Sequence, residues 1–392
     1  MRILMLSHGY PPTISGVSLV VQKISRALAR KGHQVRVLTA SERGREYRAL
    51  DQQVELLRVR SLHNPFWLEG PLPFPSPAAL RQALLEFQPD LIHTHENVIL
   101  SNLLLQARGH LTIPIVSSCY FLPRYVTHYL RWGQQVDRWI ERFTLRYALN
   151  NLNRFDHVIF STRTQQEFFL RGGLKTPSSV ISNGVDNLRY YPPNGKGEPA
   201  GQRYRLPPHP RILVVGRLMK DKKLDLLIEA LERVIRERAA YLVIVGRGGE
   251  RKQLERRIER LNLQRYVHFA GFVPEADLPA VYRACDLFAI VSNVEVQSIP
   301  TLQAAVTGLP IVAVNAAALP ELVRHGENGC LVPPDDPESL SRAILDLLDN
   351  PPLAARMGRA SQEIGKAHAD SATFDAYERF YCSVIAGQRV EL

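Results

Sequence analysis

The sequence is short of the features that would mark a disulfide-built, metal-binding or membrane-spanning chain. Only four cysteines occur in 392 residues (Cys119, Cys285, Cys330 and Cys382), with no Cys-x-x-Cys pair and no histidine at ligand spacing. Neither a disulfide framework nor a zinc site is expected, and reduced thiols are the default. Apolar runs such as 284–291 and 309–319 are interrupted or fall well short of the roughly 20 residues a membrane helix needs. The amino end, Met1-Arg-Ile-Leu-Met-Leu-Ser, enters a short apolar strand with no small-residue cleavage site after a longer apolar core, and reads as a cytoplasmic start. Disorder is excluded too, because 45% hydrophobic and 22% charged residues make a well-cored chain. At roughly 100–200 residues per domain, the length gives two domains.

Charge is uneven along the chain. Residues 1–190 hold 23 Lys and Arg against 13 Asp and Glu, whereas 191–392 hold 26 against 25. A basic first half suits an anionic partner such as lipid head groups, nucleic acid or a phosphorylated substrate, although solubility alone produces the same excess. The arginines are dispersed over several elements and no nucleic-acid recognition motif is present, so nucleic acid is set aside.

Apolar runs alternate with helical patterns from the start: a strand at 2–6, a loop at 7–15, a helix at 17–30 ending at Gly32 and a strand at 34–39. Further strands are expected at 91–93, 115–118 and 157–161. Beyond a Pro- and Gly-rich stretch near 191–208, which reads as a linker, the alternation restarts with strands at 211–215, 241–245, 267–270, 287–291 and 310–314. The expected architecture is α/β, with two doubly wound Rossmann-like domains (1–190 and 209–370) and a cleft between them as the default active site.

Three loops carry candidate chemistry. The first, His8 to Val17, lacks the Gly-x-Gly-x-x-Gly fingerprint, so a nicotinamide site is not expected. Its Gly16 stands where a helix begins, where backbone amides can face an anion. The second is Gly216-Arg-Leu-Met-Lys-Asp-Lys222. Loop cations are ordinarily solvated, but Arg217 and Lys222 at a strand's carboxyl end would suit a diphosphate. In the third, Ser292-Asn-Val-Glu-Val-Gln-Ser-Ile-Pro-Thr-Leu-Gln303, Pro300 opens a helix and the amides of Ser298 and Ile299 lie at its positive end. Glu295 just upstream can accept from sugar hydroxyls, and Gln303 could reach a ribose. Asp335-Asp-Pro-Glu reads as a helix cap rather than a metal site.

Taken together, Gly216-Arg-Leu with Lys222, Val267-His-Phe-Ala-Gly-Phe-Val, Glu295-Val-Gln-Ser-Ile, Gly308-Leu-Pro-Ile-Val, Pro320-Glu-Leu-Val and Asn328-Gly-Cys-Leu-Val-Pro resemble the second domain of the retaining glycosyltransferases of family 4. Pro89-Asp-Leu-Ile-His and Ile181-Ser-Asn-Gly-Val-Asp extend the resemblance through the first. It implies a GT-B fold, with the acceptor on the first domain and a UDP- or GDP-sugar on the second. Arg217 and Lys222 would clamp the diphosphate, Glu295 would hold the sugar, and Gln297, Ser298 and Ile299 would line sugar and phosphate. Phe272 and Val273 would flank the base, and no metal or other cofactor would be needed. A sugar-nucleotide-binding protein with little transferase activity is the alternative.

Two positions depart from the family pattern. Gln303 stands where a second Glu usually bonds the ribose. Tyr120, with Cys119 one register away, stands where a His lies near the donor sugar. The Glu295-Val-Gln-Ser spelling also resembles lipid-glycosylating branches, which favours a lipid over a glycan acceptor and a place at the inner membrane face. The aromatic helix 373–387, within a C-terminal segment of about 371–392, should by resemblance return to the first domain.

Residues 124–154 show a basic and aromatic helical pattern. On a wheel, Trp132, Val136, Trp139, Ile140, Phe143 and Tyr147 share one side, while Arg131, Arg138 and Arg142 lie roughly opposite. Two arrangements satisfy it: a core-facing aromatic side with solvated arginines, or a helix lying on an anionic membrane. The Pro-rich stretch 63–77 is a second candidate for acceptor or lipid contact.

Overall fold

The computed structural model describes residues 1–62, 70–96, 99–107, 109, 112–130, 133–193 and 199–388. The Pro-rich candidate stretch therefore falls partly, at 63–69, outside the described residues. The chain forms two compact units: Met1–Pro123 with Arg138–Asn183 and Thr373–Leu392, and Arg124–Asp137 with Gly184–Ala372. The division falls after Asn183 rather than at 190. The described residues of the expected linker lie inside the second unit, and 124–137 leave the first unit for the second.

The first unit is built on a sheet of β1 (Arg2–Ser7), β2 (Gln34–Ala40), β3 (Tyr47–Asp51), β4 (Val54–Val59), β7 (Leu91–Thr94), β8 (Ile115–Cys119), β9 (His157–Phe160) and β10 (Ser178–Val180), in the order β10-β9-β8-β7-β1-β2-β4-β3. A two-stranded pair, β5 (Ser61–Leu62) and β6 (Leu72–Pro73), stands apart. Every pairing in the main sheet is parallel except the β3–β4 hairpin. That hairpin was not anticipated: its turn carries Gln52 at φ 55° and no glycine, so no turn signal marks it. The helices are α1 (Gly16–Arg30), α2 (Pro77–Phe87), α3 (Ile99–Ala107), α4 (Arg124–Leu130), α5 (Gln134–Leu152) and α6 (Arg163–Gly172), with α4 grouped with the second unit. In α1, Val20, Val21, Ile24, Ala27 and Leu28 recur at helical spacing and are buried. Gly133, at φ 106°, breaks the expected 124–154 helix into α4 and α5.

The second unit holds β11 (Arg211–Val215), β12 (Tyr241–Val245), β13 (Val267–Gly271), β14 (Leu287–Ile290), β15 (Ile311–Val314) and β16 (Gly329–Val332), ordered β13-β12-β11-β14-β15-β16 and all parallel. This is the doubly wound order in which the chain reverses between the first and fourth strands, and ligands bind at the carboxyl ends beside that reversal. Its helices are α7 (Pro199–Arg203), α8 (Leu224–Glu237), α9 (Arg251–Arg260), α10 (Leu278–Arg283), α11 (Ile299–Thr307), α12 (Leu319–Leu322), α13 (Pro337–Asp349) and α14 (Pro351–Lys366). Buried apolar strands fit a sheet covered on both faces. Asp336 accepts from the Glu338 and Ser339 amides, so Asp335-Asp-Pro-Glu caps α13 as its spelling implies.

Helix α15 (Asp370–Ile385) returns to the first unit, as the resemblance implied, and buries Thr373, Tyr377, Phe380 and Tyr381. Lys31 pairs with Asp375 and Glu378 at 2.5 Å each, and His33 Nε2 lies 2.9 Å from Glu378. Inside, His93 bridges Tyr381 Oη (2.6 Å) and Ser118 Oγ (2.8 Å), while His157 meets Ser179 Oγ at 2.9 Å. Burial holds all three imidazoles of this layer neutral: His93 falls well below its ordinary value, His95 to about 3 and His157 to about 4. Below about pH 6.5 the unfolded chain binds protons that the folded chain refuses, so stability falls as pH drops. Each imidazole contributes roughly 1.4 kcal/mol per pH unit. We expect the melting temperature to decline steadily from pH 7 to pH 5, with a shallower slope in His157→Asn; a flat profile over that range would contradict the neutral assignment.

Candidate functional site

The loops leaving β11 and β14 flank the reversal point of the second sheet, and they are the loops the sequence singled out. Gly216 follows β11, and the chain then forms a short 3-10 turn over Lys220–Lys222 before α8. This turn brings Lys222 Nζ to 2.6 Å from Glu295 Oε1 and 3.4 Å from Asp221 Oδ2. Burial pulls the ammonium's pKa down, but the charges of Glu295 and Asp221 more than offset it and the net shift is upward. Lys222 therefore stays cationic. Arg217, half-buried on the same loop, donates from Nη2 to Tyr125 Oη at 2.8 Å; Tyr125 lies on α4, which this unit includes.

On the β14 side, Ser298 is the N-cap of α11, its hydroxyl accepting from the Thr301 amide at 3.2 Å. Gln297 and Ser298 are buried and Ile299 half-buried at the start of that helix. Two further groups in this loop were quoted in the sequence but not singled out. Ser292 Oγ and Asn293 Oδ1 are buried and have no hydrogen-bond partner among the described residues. Such atoms cost about 1–3 kcal/mol each unless something else satisfies them, which suits a polar ligand at this strand end.

Beyond β13, Phe272 is exposed beneath the Arg247 guanidinium, 5.6 Å from its ring centroid, while Val273 is buried. Gln303, expected at the ribose, is held in a side-chain network. Its Oε1 accepts from Tyr282 Oη at 3.0 Å, and its Nε2 donates to Tyr190 Oη at 2.9 Å, which in turn donates to Glu275 Oε1 at 3.0 Å. One amide proton and one lone pair remain on a side chain that is itself buried. Neither tyrosine carries a spacing signal toward position 303, so this network was invisible in the sequence.

The loop 246–250 was missed as well. Backbone bonds from Gly216 to Val245, Leu218 to Arg247 and Glu250 to Leu218 stitch it to the loop carrying Arg217. A cavity of about 600 Å³ opens nearby, lined by Met219, Lys220, Lys223, Glu229 and Arg257 among others, but by none of Arg217, Lys222 and Glu295. Its charges are partly internally paired, Lys223 with Asp335 and Arg257 with Glu229. We place the site at the strand ends instead, where the cations converge on the reversal point.

Gly16 and Tyr120 belong to the first unit. Gly16 is the first residue of α1, with Ser15 capping the Ser18 amide and open space where a Cβ would stand. Tyr120 follows β8, its hydroxyl 3.0 Å from His95 Nδ1 and its ring stacked on that imidazole at 5.9 Å. An imidazole thus stands beside Tyr120, which with Cys119 is one of the two residues expected at the histidine position. No group of three or more His, Cys, Asp or Glu converges among the described residues.

Two family models match the chain: Glycosyltransferase Family 4 over residues 14–188 and Glycosyl transferases group 1 over residues 203–364. A glycogen synthase of Mycobacterium tuberculosis is 28% identical, covering 93% of this chain and 90% of its own. A GDP-mannose-dependent alpha-(1-6)-phosphatidylinositol monomannoside mannosyltransferase of Mycolicibacterium smegmatis is also 28% identical, covering 92% of each. Among solved structures, Anabaena HepE in complex with UDP-glucose superimposes with a TM-score of 0.76 at 23% identity, over 97% of this chain and 99% of that one.

Proposed function

The chain belongs to the family-4 and group-1 glycosyl transferases, whose models match its first and second halves, and from that premise we propose that it transfers a hexose from a UDP- or GDP-sugar to a hydroxyl of a lipid or glycan, with retention at the anomeric carbon and without a metal. It would act on the cytoplasmic side of the membrane. The observation that carries the reading is the pairing of Lys222 with Glu295 at the reversal point of the second sheet, with Arg217 on the same loop near enough to act on the Lys222 charge. The C1–O bond to the diphosphate breaks and negative charge grows on the leaving oxygen. Arg217, Lys222 and the amides at 297–299 stabilise that charge. The acceptor oxygen bonds to C1 from the same face, and its proton passes to the departing phosphate. Glu295 holds the donor's hydroxyls, and Phe272 with Val273 flanks the base.

The relatives' names support both acceptor classes, since one acts on a phosphatidylinositol mannoside and another is named for glycogen. A thermal-shift screen over UDP- and GDP-sugars tests the donor. At a hundredfold excess over Kd, the matching sugar should raise the melting temperature by roughly 5 °C or more. With that donor, the anomeric coupling constant of the product should match the donor's configuration, and EDTA should leave the rate unchanged. A panel with no stabilising nucleotide sugar would remove the reading, and an inverted product would remove retention.

A further inference from the structure

Helix α5 presents its aromatic side outward. Trp139 is 66% exposed, Phe143 60% and Tyr147 47%. Trp139 and Phe143 stack on each other, with ring centroids 5.8 Å apart and planes 14° off parallel. The side that packs inward is a different one, made of Leu145, Leu149 and Leu152, with Leu145 seated against Gly172 of α6; Ile140, which the wheel placed at the edge of the aromatic side, is buried with it rather than exposed. Of the two arrangements the sequence allowed, core packing of the aromatic stripe is therefore excluded. Trp132, which the wheel placed on the same side, lies outside the described residues.

The charge around the stripe has one sign. At about 100° per residue, Trp139, Phe143 and Tyr147 span a narrow arc, and Arg142 and Arg146 border it on one side with Arg138 beyond them. All three arginines are exposed and make no ion pair among the described residues. The helix's two acids, Asp137 and Glu141, lie on the far side and are half-buried. An apolar aromatic strip bordered by unpaired guanidinium groups is matched by a surface that is apolar below and anionic above. An antiparallel twofold pairing of the strip with a second copy would bring two rows of arginine together, which disfavours it.

We infer that the Trp139–Phe143–Tyr147 face of α5 is a docking surface for an anionic lipid bilayer, with the aromatic rings at the acyl boundary and Arg142 and Arg146 at the phosphates. This goes beyond the transfer reading and does not require the acceptor to be a lipid. The test is flotation of the full chain with vesicles of phosphatidylcholine alone or mixed with phosphatidylglycerol. The chain should float with the mixed vesicles and stay behind with phosphatidylcholine. Trp139→Ala/Phe143→Ala should reduce the bound fraction about tenfold, and Arg142→Ala/Arg146→Ala should make binding fail at lower salt. Both variants should keep the wild-type melting temperature and nucleotide-sugar response, which separates failure of the surface from failure of the transfer reading. Absence of flotation, flotation indifferent to the aromatic variant, or a wild-type dimer that the aromatic variant converts to monomer would each overturn the inference.

Discussion

Replacing Lys222 by alanine should lower kcat/KM by at least two to three orders of magnitude while leaving the fold intact. The ammonium is the cation closest to Glu295, at 2.6 Å, and it also lies 3.4 Å from Asp221. Unit charges about 4 Å apart near a protein surface interact by about 4 kcal/mol, and a loss of that size at the transition state corresponds to roughly a thousandfold in rate. The substitution also leaves two carboxylates facing an incoming diphosphate, so donor affinity should fall together with turnover. Combining Lys222→Ala with Glu295→Gln tests this, because removing one stranded charge should recover part of the KM effect but none of the kcat effect. Arg217→Ala should behave like Lys222→Ala, with Tyr125 losing its donor. The raised pKa of Lys222 means its charge persists up to and beyond the ordinary lysine range and is lost only in strong alkali, so the neutral arm of a pH–rate profile should not move in these variants. Near-normal kcat/KM in both single variants would dismiss the diphosphate assignment.

What the sequence made legible follows from how locally each feature is encoded. Five of the six strands of the second sheet could be read because each is a short apolar run with a polar loop at its carboxyl end, and the expected ranges fall within one residue of β11, β12, β13, β14 and β15 at either end; β16 was not expected as a strand. The loops that bear Arg217, Lys222 and Glu295 follow from that reading, since a reversal point needs only strand order. Less visible was anything set by contact between distant segments. The fate of Gln303 depends on Tyr190 and Tyr282, which lie 113 and 21 residues away. The direction of the α5 aromatic stripe depends on which side α6 covers, and periodicity alone fits both choices. The expected linker is a related case: its Pro- and Gly-rich composition describes local stiffness, while Tyr190 just before it and Tyr204 within it are tied into the second unit through Glu275 and Asp277.

The largest effect on stability is expected at a residue no motif pointed to. Gly246 leaves β12 at φ 140°, and a Cβ built there would stand 1.8 Å from the carbonyl oxygen of Gly216. Backbone cannot yield as a flexible side chain can, so Gly246→Ala must either break the pairing of β11 with β12 at its carboxyl end or push the Gly216–Leu218 loop away. We expect a loss of about 3 kcal/mol or more, read as a fall in denaturation midpoint, together with a drop in kcat/KM because the displaced loop carries Arg217. Gly249→Ala serves as the matched control three residues on, since nothing lies within 4 Å of its Cβ position and its stability should stay within about 0.5 kcal/mol of wild type. If both variants were equally stable and active, the close approach of the two loops would be wrong, and with it the rigid support that holds Arg217 and Lys222 at the strand ends.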